Sequence, residues 1–116
     1  MADNKDYVTL SAEKGTINIS EDVIAAVAAN AVKDVDGVAS LGRDSGEIWG
    51  KKPANKGVRV INNGEDVSVE VGVMVKRNAA VHSVGAAVQE SVKSALESVT
   101  GAKVKEVNVL ILGVQL

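Results

Sequence analysis

Residues 67–76 read Val-Ser-Val-Glu-Val-Gly-Val-Met-Val-Lys, with a valine at every odd position. Successive side chains of a β-strand point to opposite faces, so this alternation predicts a strand with one face in the core and the other in water. Residues 58–61 predict a second strand. Asn62-Asn63-Gly64-Glu65 between them is typical of a hairpin turn, because Asn and Gly tolerate positive φ. We therefore expect an antiparallel hairpin over residues 58–76.

Two segments on either side of this hairpin have the apolar spacing of amphipathic helices. The first begins after Ser20, a good N-cap followed by two acidic residues, and ends at Gly37. Its apolar stripe comprises Val23, Ile24, Val27, Ala28, Ala31 and Val35. The second follows a turn at Asn78 and ends at Gly101. Its stripe comprises Val81, Val84, Val88, Val92, Ala95 or Leu96, and Val99.

Three further strands are expected, over residues 15–19, 38–41 and 104–114. In the last of these, Val107, Val109 and Ile111 share one face and Leu110 and Leu112 the other. Apolar residues on both faces imply either a central strand or an outer face that something else covers. Residues 1–14 are predicted to form a flexible N-terminal tail, and residues 42–57 a loop with four glycines and the single proline.

The two apolar helix stripes need a surface to cover, and the valine face of the sheet supplies one. The sequence thus predicts an α+β fold, a two-layer α/β sandwich with a mostly antiparallel sheet and both helices packed on one face. Residues 15–116 are expected to form a single domain.

Composition excludes several classes of function. The chain has no cysteine, which rules out disulfides, thiol redox chemistry and thiolate metal sites and fits a reducing cytoplasm. Thirteen basic and 15 acidic residues give a formal charge of −2, so no overall field favours nucleic acid or anionic membrane. The acidic N-terminus is unlike a signal peptide, and no apolar stretch is long enough to span a bilayer. A cytoplasmic protein is therefore expected.

No catalytic, cofactor-binding or metal-binding residues can be named from the sequence. His82 is the single histidine, so a histidine-based metal site or catalytic triad would depend on that one imidazole. At the start of a helix, it is expected to face solvent or to cap the helix. Because no carboxylate pair or pair of nucleophile and base stands out, we predict that the protein is not an enzyme and uses no cofactor.

Several short stretches in a fixed order resemble the alkaline-shock-protein family. They are residues 17–24 (INISEDVI), 35–38 (VDGV), 56–60 (KGVRV), 88–93 (VQESVK), 100–101 (TG), 107–109 (VNV) and 113–114 (GV). The match covers residues 15–114. The sequence departs from the family at Asn78-Ala79-Ala80-Val81-His82, where many members have a glycine-rich turn that ends in Ile-Pro.

This resemblance implies a cytoplasmic protein of Gram-positive-type bacteria that is linked to envelope or alkaline stress and has no known catalytic activity. Some members of the family are held at the inner face of the cell membrane by a membrane-embedded partner. Others are encoded near genes of fatty-acid synthesis, and the insertion at residues 42–57 is more similar to theirs.

A basic cluster with one aromatic residue lies in and after the loop. It consists of Trp49, Lys51, Lys52, Lys56 and Arg59. A basic loop with an aromatic side chain suits RNA, a phosphorylated ligand or anionic lipid headgroups. The alternative is that Trp49 folds back onto the sheet while the lysines only solvate the loop, and this interpretation is preferred.

A second group of candidate contact residues consists of Gln89, Glu90 and Lys93 on the outer face of the second helix, and Leu110 and Leu112 on the last strand. The two leucines exceed what one helical layer needs to cover. We therefore expect a protein-binding adaptor or scaffold that docks copies of itself or a membrane-anchored relative through surface burial and strand pairing. The alternative function is an RNA- or phospholigand-binding module that uses residues 49–59.

Overall fold

The computed structural model describes residues 7–42, 57–64 and 66–116. In these residues, the order of elements is β1 (Tyr7–Ala12), β2 (Gly15–Ser20), α1 (Glu21–Lys33), β3 (Val38–Leu41), β4 (Val58–Asn62), β5 (Val67–Lys76), α2 (Val81–Val99) and β6 (Val104–Gln115). The predicted α+β class is confirmed.

Strand β5 is the centre of the main sheet, with β3 and β4 along one edge and β6 along the other. The main-chain hydrogen bonds of Gly72 show that β3 and β4 occupy the same side of β5. Its N–H donates to the carbonyl of Gly57 at 2.8 Å, and its carbonyl accepts from the N–H of Gly42 at 2.7 Å. Both groups of one strand residue point to the same edge, so β3 and β4 lie end to end as two halves of one edge strand.

The pairing of β5 with β6 is parallel, whereas β1 with β2, β3 with β5 and β4 with β5 are antiparallel. The main sheet is therefore mixed. The parallel pair follows from chain order, because a helix that joins two adjacent strands returns the second strand in the same direction as the first. Helix α2 is this crossover.

The core lies between the valine face of β5 and the two helices. The five valines of β5 are fully buried, and so are Ile24 and Val32 of α1 and Val88, Val92 and Leu96 of α2. Each such side chain stabilises the fold by about 1.5–3 kcal/mol through removal of apolar surface from water. The predicted stripes are partly wrong, because Val23, Val81 and Val99 are exposed and α1 instead buries Ala25, Ala29 and Val32.

The local signals at the helix ends are confirmed in part. Ser20 Oγ accepts from the N–H of Asp22 at 3.0 Å and caps α1. Helix α2 begins after Ala80, which supplies no capping side chain. Asn78, at the turn before α2, has a φ of 68°. The turn between β4 and β5 is closed by Asn62 Oδ1, which accepts from the N–H of Gly64 at 2.9 Å.

The predicted tail is wrong for residues 7–12, which form β1. This strand pairs with β2 over six residues, and its Val8 is fully buried. Asn62 links the β1–β2 hairpin to the main sheet, since its Nδ2 donates to the carbonyl of Tyr7 at 2.6 Å. Residues 1–6 of the predicted tail and most of the predicted loop, residues 43–56, lie outside the described residues.

Candidate protein interaction surface

Partnered residues in neighbouring strands place their side chains on the same face of a sheet. The register pairs Leu110 with Gly72, Ser40 with Met74 and Ile61 with Ser68, all on the side of β5 opposite the helices. This is the outer face. It agrees with the prediction that Leu110 lies on the face opposite Val107, Val109 and Ile111, which pair with the buried valines of β5.

Two glycines make room for large side chains on this outer face. Leu112 stands over Gly72, and Met74 stands over Gly113. Both Leu112 and Met74 are half-buried, as is Ile61 at the other end of the sheet. The outer face therefore carries an apolar patch, which we define as Ile61, Met74, Leu110 and Leu112.

Strand β6 carries three exposed large apolar side chains. Leu110 is 43% exposed, and Ile111 and Val114, which pair with β5 valines on the helix side, are 37% and 45% exposed. In the described part of the chain, β6 pairs with one strand only. It is thus an edge strand with large apolar side chains on both faces, and the expectation of a central strand does not hold for the isolated chain.

Side chains of α2 cover the beginning of β6. Gln89 Nε2 donates to the carbonyl of Val107 at 3.0 Å, and Glu97 Oε2 accepts from the N–H of Val104 at 3.4 Å. The sequence suggests Gln89 as a partner contact, and the structure gives it this intramolecular role. Glu90 and Lys93, the other predicted contacts on α2, are exposed.

Arg59 is the one described member of the predicted basic cluster. It lies on the outer face opposite Glu70, whose Oε1 is 3.3 Å from its Nη1, and its side chain is 56% exposed. Trp49, Lys51, Lys52 and Lys56 lie outside the described residues. The cluster as a ligand site therefore stays a prediction.

The described residues have further features outside the apolar patch. An open groove of about 440 Å³ lies where β5 leads into α2, with Lys76, Arg77 and Ser83 among its lining residues. His82 in the first turn of α2 is exposed. Residues 7–42, 57–64 and 66–116 contain no group of three or more acidic, His or Cys side chains arranged to hold a metal ion. No described helix is both long enough and apolar enough to cross a membrane.

Among known proteins, this chain is similar to two from Bacillus subtilis (strain 168). One is named "Uncharacterized protein YqhY" and is 30% identical over 105 residues, covering 87% of this chain and 78% of the relative. The other is named "Uncharacterized protein YloU" and is 29% identical over 114 residues, covering 93% of this chain and 95% of the relative. A third, "Uncharacterized protein Spy1614" of Streptococcus pyogenes serotype M6, is 28% identical over 114 residues.

Solved structures of substituted forms of the MamM CTD share the fold. For two of them the TM-score is 0.52, with 14% and 15% sequence identity over 80% of this chain and 96% and 95% of theirs. At such identity the likeness concerns the arrangement of strands and helices alone.

The match to a family profile covers nearly the whole chain. It spans residues 9–116, and so includes all of the described main sheet and both helices. The same stretches that resemble the alkaline-shock-protein family lie within it, and the profile is that of this family. The chain therefore belongs to the alkaline-shock-protein family, which is described as having a "cell envelope-related function".

Proposed function

We propose that this protein is a non-enzymatic adaptor or scaffold of the bacterial envelope that binds other protein surfaces, its own copies or a membrane-anchored relative. It acts in the cytoplasm, at the inner face of the cell membrane, through such a partner. Binding uses the apolar patch of the outer face and the exposed part of β6, with Glu90 and Lys93 on α2 as peripheral contacts.

The exposure of Leu110 on an edge strand is the observation that carries this proposal. A row of unpaired main-chain groups beside large apolar side chains is a template for pairing with another chain, and proteins usually cover such edges or place charges on them. Here Leu110 is 43% exposed, and the sequence from Val107 to Leu116 has no charged side chain. An uncharged apolar edge of this kind supports the proposal of an interaction site here.

The description of the family also supports this proposal. The family description relates it to the cell envelope, whereas no described helix could cross the membrane. In this proposal, the chain reaches the envelope by binding a protein that is already there. Docking requires only burial of surface and strand pairing, without covalent chemistry.

The proposal can be tested with one charged substitution and a matched control. Leu110→Glu places a carboxylate on the binding edge, whereas Val23→Glu makes the same change on α1, where the valine is 47% exposed. Both variants should fold, because both positions are solvent-accessible. Sedimentation velocity over a wide concentration range should show self-association of the natural protein and of Val23→Glu, and a marked loss for Leu110→Glu.

Binding to a different protein would be measured in the same comparison. The natural protein and both variants would be tagged, expressed in the native host and separated into membrane and soluble fractions. We expect Leu110→Glu alone to lose partner binding and enrichment in the membrane fraction. A natural protein that is strictly monomeric, and whose captured partners do not change in Leu110→Glu, would refute the proposal.

A further inference from the structure

The free edge of β6 has identifiable main-chain groups. Gly72 directs its N–H and carbonyl to the β3–β4 edge, so its neighbours Val71 and Val73 direct theirs to β6. In a parallel pair, a residue that points toward its neighbour strand bonds to the two residues that flank its register partner, and not to that partner itself. Val109 is opposite Val71 and Ile111 is opposite Val73, so the N–H and carbonyl groups of Val109 and Ile111 point away from β5.

The helix covers this edge only up to Val107. Glu97 and Gln89 bind the main chain at Val104 and Val107, and no other described residue outside β5 donates to or accepts from the β6 main chain beyond that point. The open part of the edge therefore begins where the polar cover from α2 ends. Its main-chain groups at Val109 and Ile111 are free to pair with another strand.

The distribution of charged residues along β6 indicates which kind of strand could pair with its open edge. Lys103, Lys105 and Glu106 precede the open part, and residues 107–116 carry no charged side chain. In a two-fold symmetric pair, each residue at the axis meets its own counterpart, so a charged residue there would meet a like charge. The uncharged stretch of β6 avoids this repulsion between copies. A charged peptide would find no charged side chain on this stretch to pair with.

We propose that β6 pairs antiparallel with β6 of a second copy of this chain, around a two-fold axis at Leu110. This inference rests on the proposed function and names the partner of the same surface. Val109 then exchanges two main-chain hydrogen bonds with Ile111 of the second copy, and Ile111 does the same with Val109 of that copy. The two main sheets become one continuous sheet.

Side chains on both faces fit this register. The two copies of Leu110 meet on the outer face in a non-hydrogen-bonded pair, where side chains approach most closely. On the helix side, Ile111, now 37% exposed, packs beside Val109 of the second copy. The contact is small by comparison with stable dimers, which bury roughly 1,200–2,000 Å² in total, so the pairing is reversible and depends on concentration.

Single cysteines test the register, because the natural chain has none. At the two-fold axis the Cα atoms of the two Leu110 residues are about 4.5 Å apart, within the range of about 4.4–6.8 Å that a disulfide spans. The two Asn108 residues are separated by four residues along the strand, or roughly 14 Å, although they lie on the same exposed face. Leu110→Cys should therefore form a covalent dimer with a mild oxidant, and Asn108→Cys should not.

Hydrogen exchange on the natural protein provides a second measurement that needs no substitution. The amides of Val109 and Ile111 should become protected as protein concentration rises, while those of the exposed β1–β2 turn at Glu13 and Lys14 should not change. In sedimentation, Leu110→Glu should weaken the dimer by about tenfold or more, since two carboxylates would meet at the axis.

The outcomes separate this inference from the proposed function. Self-association that depends on Leu110, with no Leu110→Cys dimer and no protection at Val109 and Ile111, would refute the strand pairing and leave the adaptor proposal intact. A dimer of Asn108→Cys as efficient as that of Leu110→Cys would refute the register. A natural protein that stays monomeric at all concentrations would also refute the pairing, whereas the adaptor proposal would then depend on its binding of other proteins.

Discussion

Leu112 lies over Gly72, with its Cδ1 only 2.9 Å from the place that a Cβ atom at position 72 would occupy. The glycine is on the central strand, so its missing side chain creates the depression in which Leu112 is half-buried. How far Leu112 protrudes from the outer face therefore depends on this pair of residues. A side chain at position 72 would push Leu112 outward.

We predict that Gly72→Ala destabilises the protein by about 1 kcal/mol, because Leu112 must leave its present position. The same change in a Leu112→Ala background should cost nothing, since the obstructing methyl group is gone. Urea unfolding of the four proteins in this double-mutant cycle measures the coupling directly. Equal effects of Gly72→Ala in both backgrounds would show that Leu112 does not occupy the space above the glycine.

Gly37 and Gly64 have nearly the same positive φ in different surroundings. Their φ angles are 96° and 98°, but a Cβ at Gly37 would be 2.6 Å from Val84 Cγ2, whereas one at Gly64 would meet nothing within 4 Å. Gly64→Ala should therefore cost only the backbone term of about 1–3 kcal/mol. Gly37→Ala should cost about 1–3 kcal/mol more, because it also forces Val84 of α2 to move in a packed core.

Thermal or urea unfolding of these two variants checks the prediction, with the natural protein as reference. The difference between them reports mainly on the contact with Val84, since the positive φ is common to both. Similar losses of stability in Gly37→Ala and Gly64→Ala would contradict close packing between the turn after α1 and the start of α2.

The sequence predicts those parts of the fold that depend on local signals. The cap at Ser20, the hairpin turn around Gly64 and the alternation of β5 each involve neighbouring residues, and the structure has all three. The face of the sheet on which Leu110 lies also follows from alternation alone. Its role in binding remains a proposal.

The parts that sequence reasoning missed depend on contacts between distant segments. Strand β1 has only two well-placed apolar residues, and it is fixed by pairing with β2 and by Asn62. Strands β3 and β4 form one edge together because they pair with successive parts of β5. No local sequence pattern predicts this pairing. The parallel pairing of β6 had a signal in the order strand, helix, strand, which predicts a crossover connection.

The two helices differ at their N-termini, which predicts substitutions of opposite effect. Ser20 Oγ accepts the N–H of Asp22 and caps α1, so Ser20→Ala should lower the free energy of unfolding by about 1 kcal/mol. Ala80, the N-cap residue of α2, has extended backbone angles of −78° and 101° but no side chain that can accept a hydrogen bond. Ala80→Asp should therefore raise stability by about 0.5–1 kcal/mol, helped by the positive end of the helix.

Urea unfolding at neutral pH measures both changes. Ala80→Leu serves as the control for altered size at an exposed position, because a leucine at the N-cap accepts no hydrogen bond. A gain with Leu equal to the gain with Asp would show that capping is not the cause.

Gln89 and Glu90 are adjacent, exposed residues of α2 whose roles the structure separates. Gln89 Nε2 donates to the carbonyl of Val107, whereas Glu90 is a surface residue. Gln89→Ala leaves that carbonyl to water and should cost about 0.5–1.5 kcal/mol, while Glu90→Ala should change stability by less than about 0.5 kcal/mol. Because the lost bond lies on the free edge of β6, Gln89→Ala should also accelerate amide exchange in the first half of β6 relative to Glu90→Ala. Equal stability and exchange in the two variants would contradict the protection of this edge by the helix.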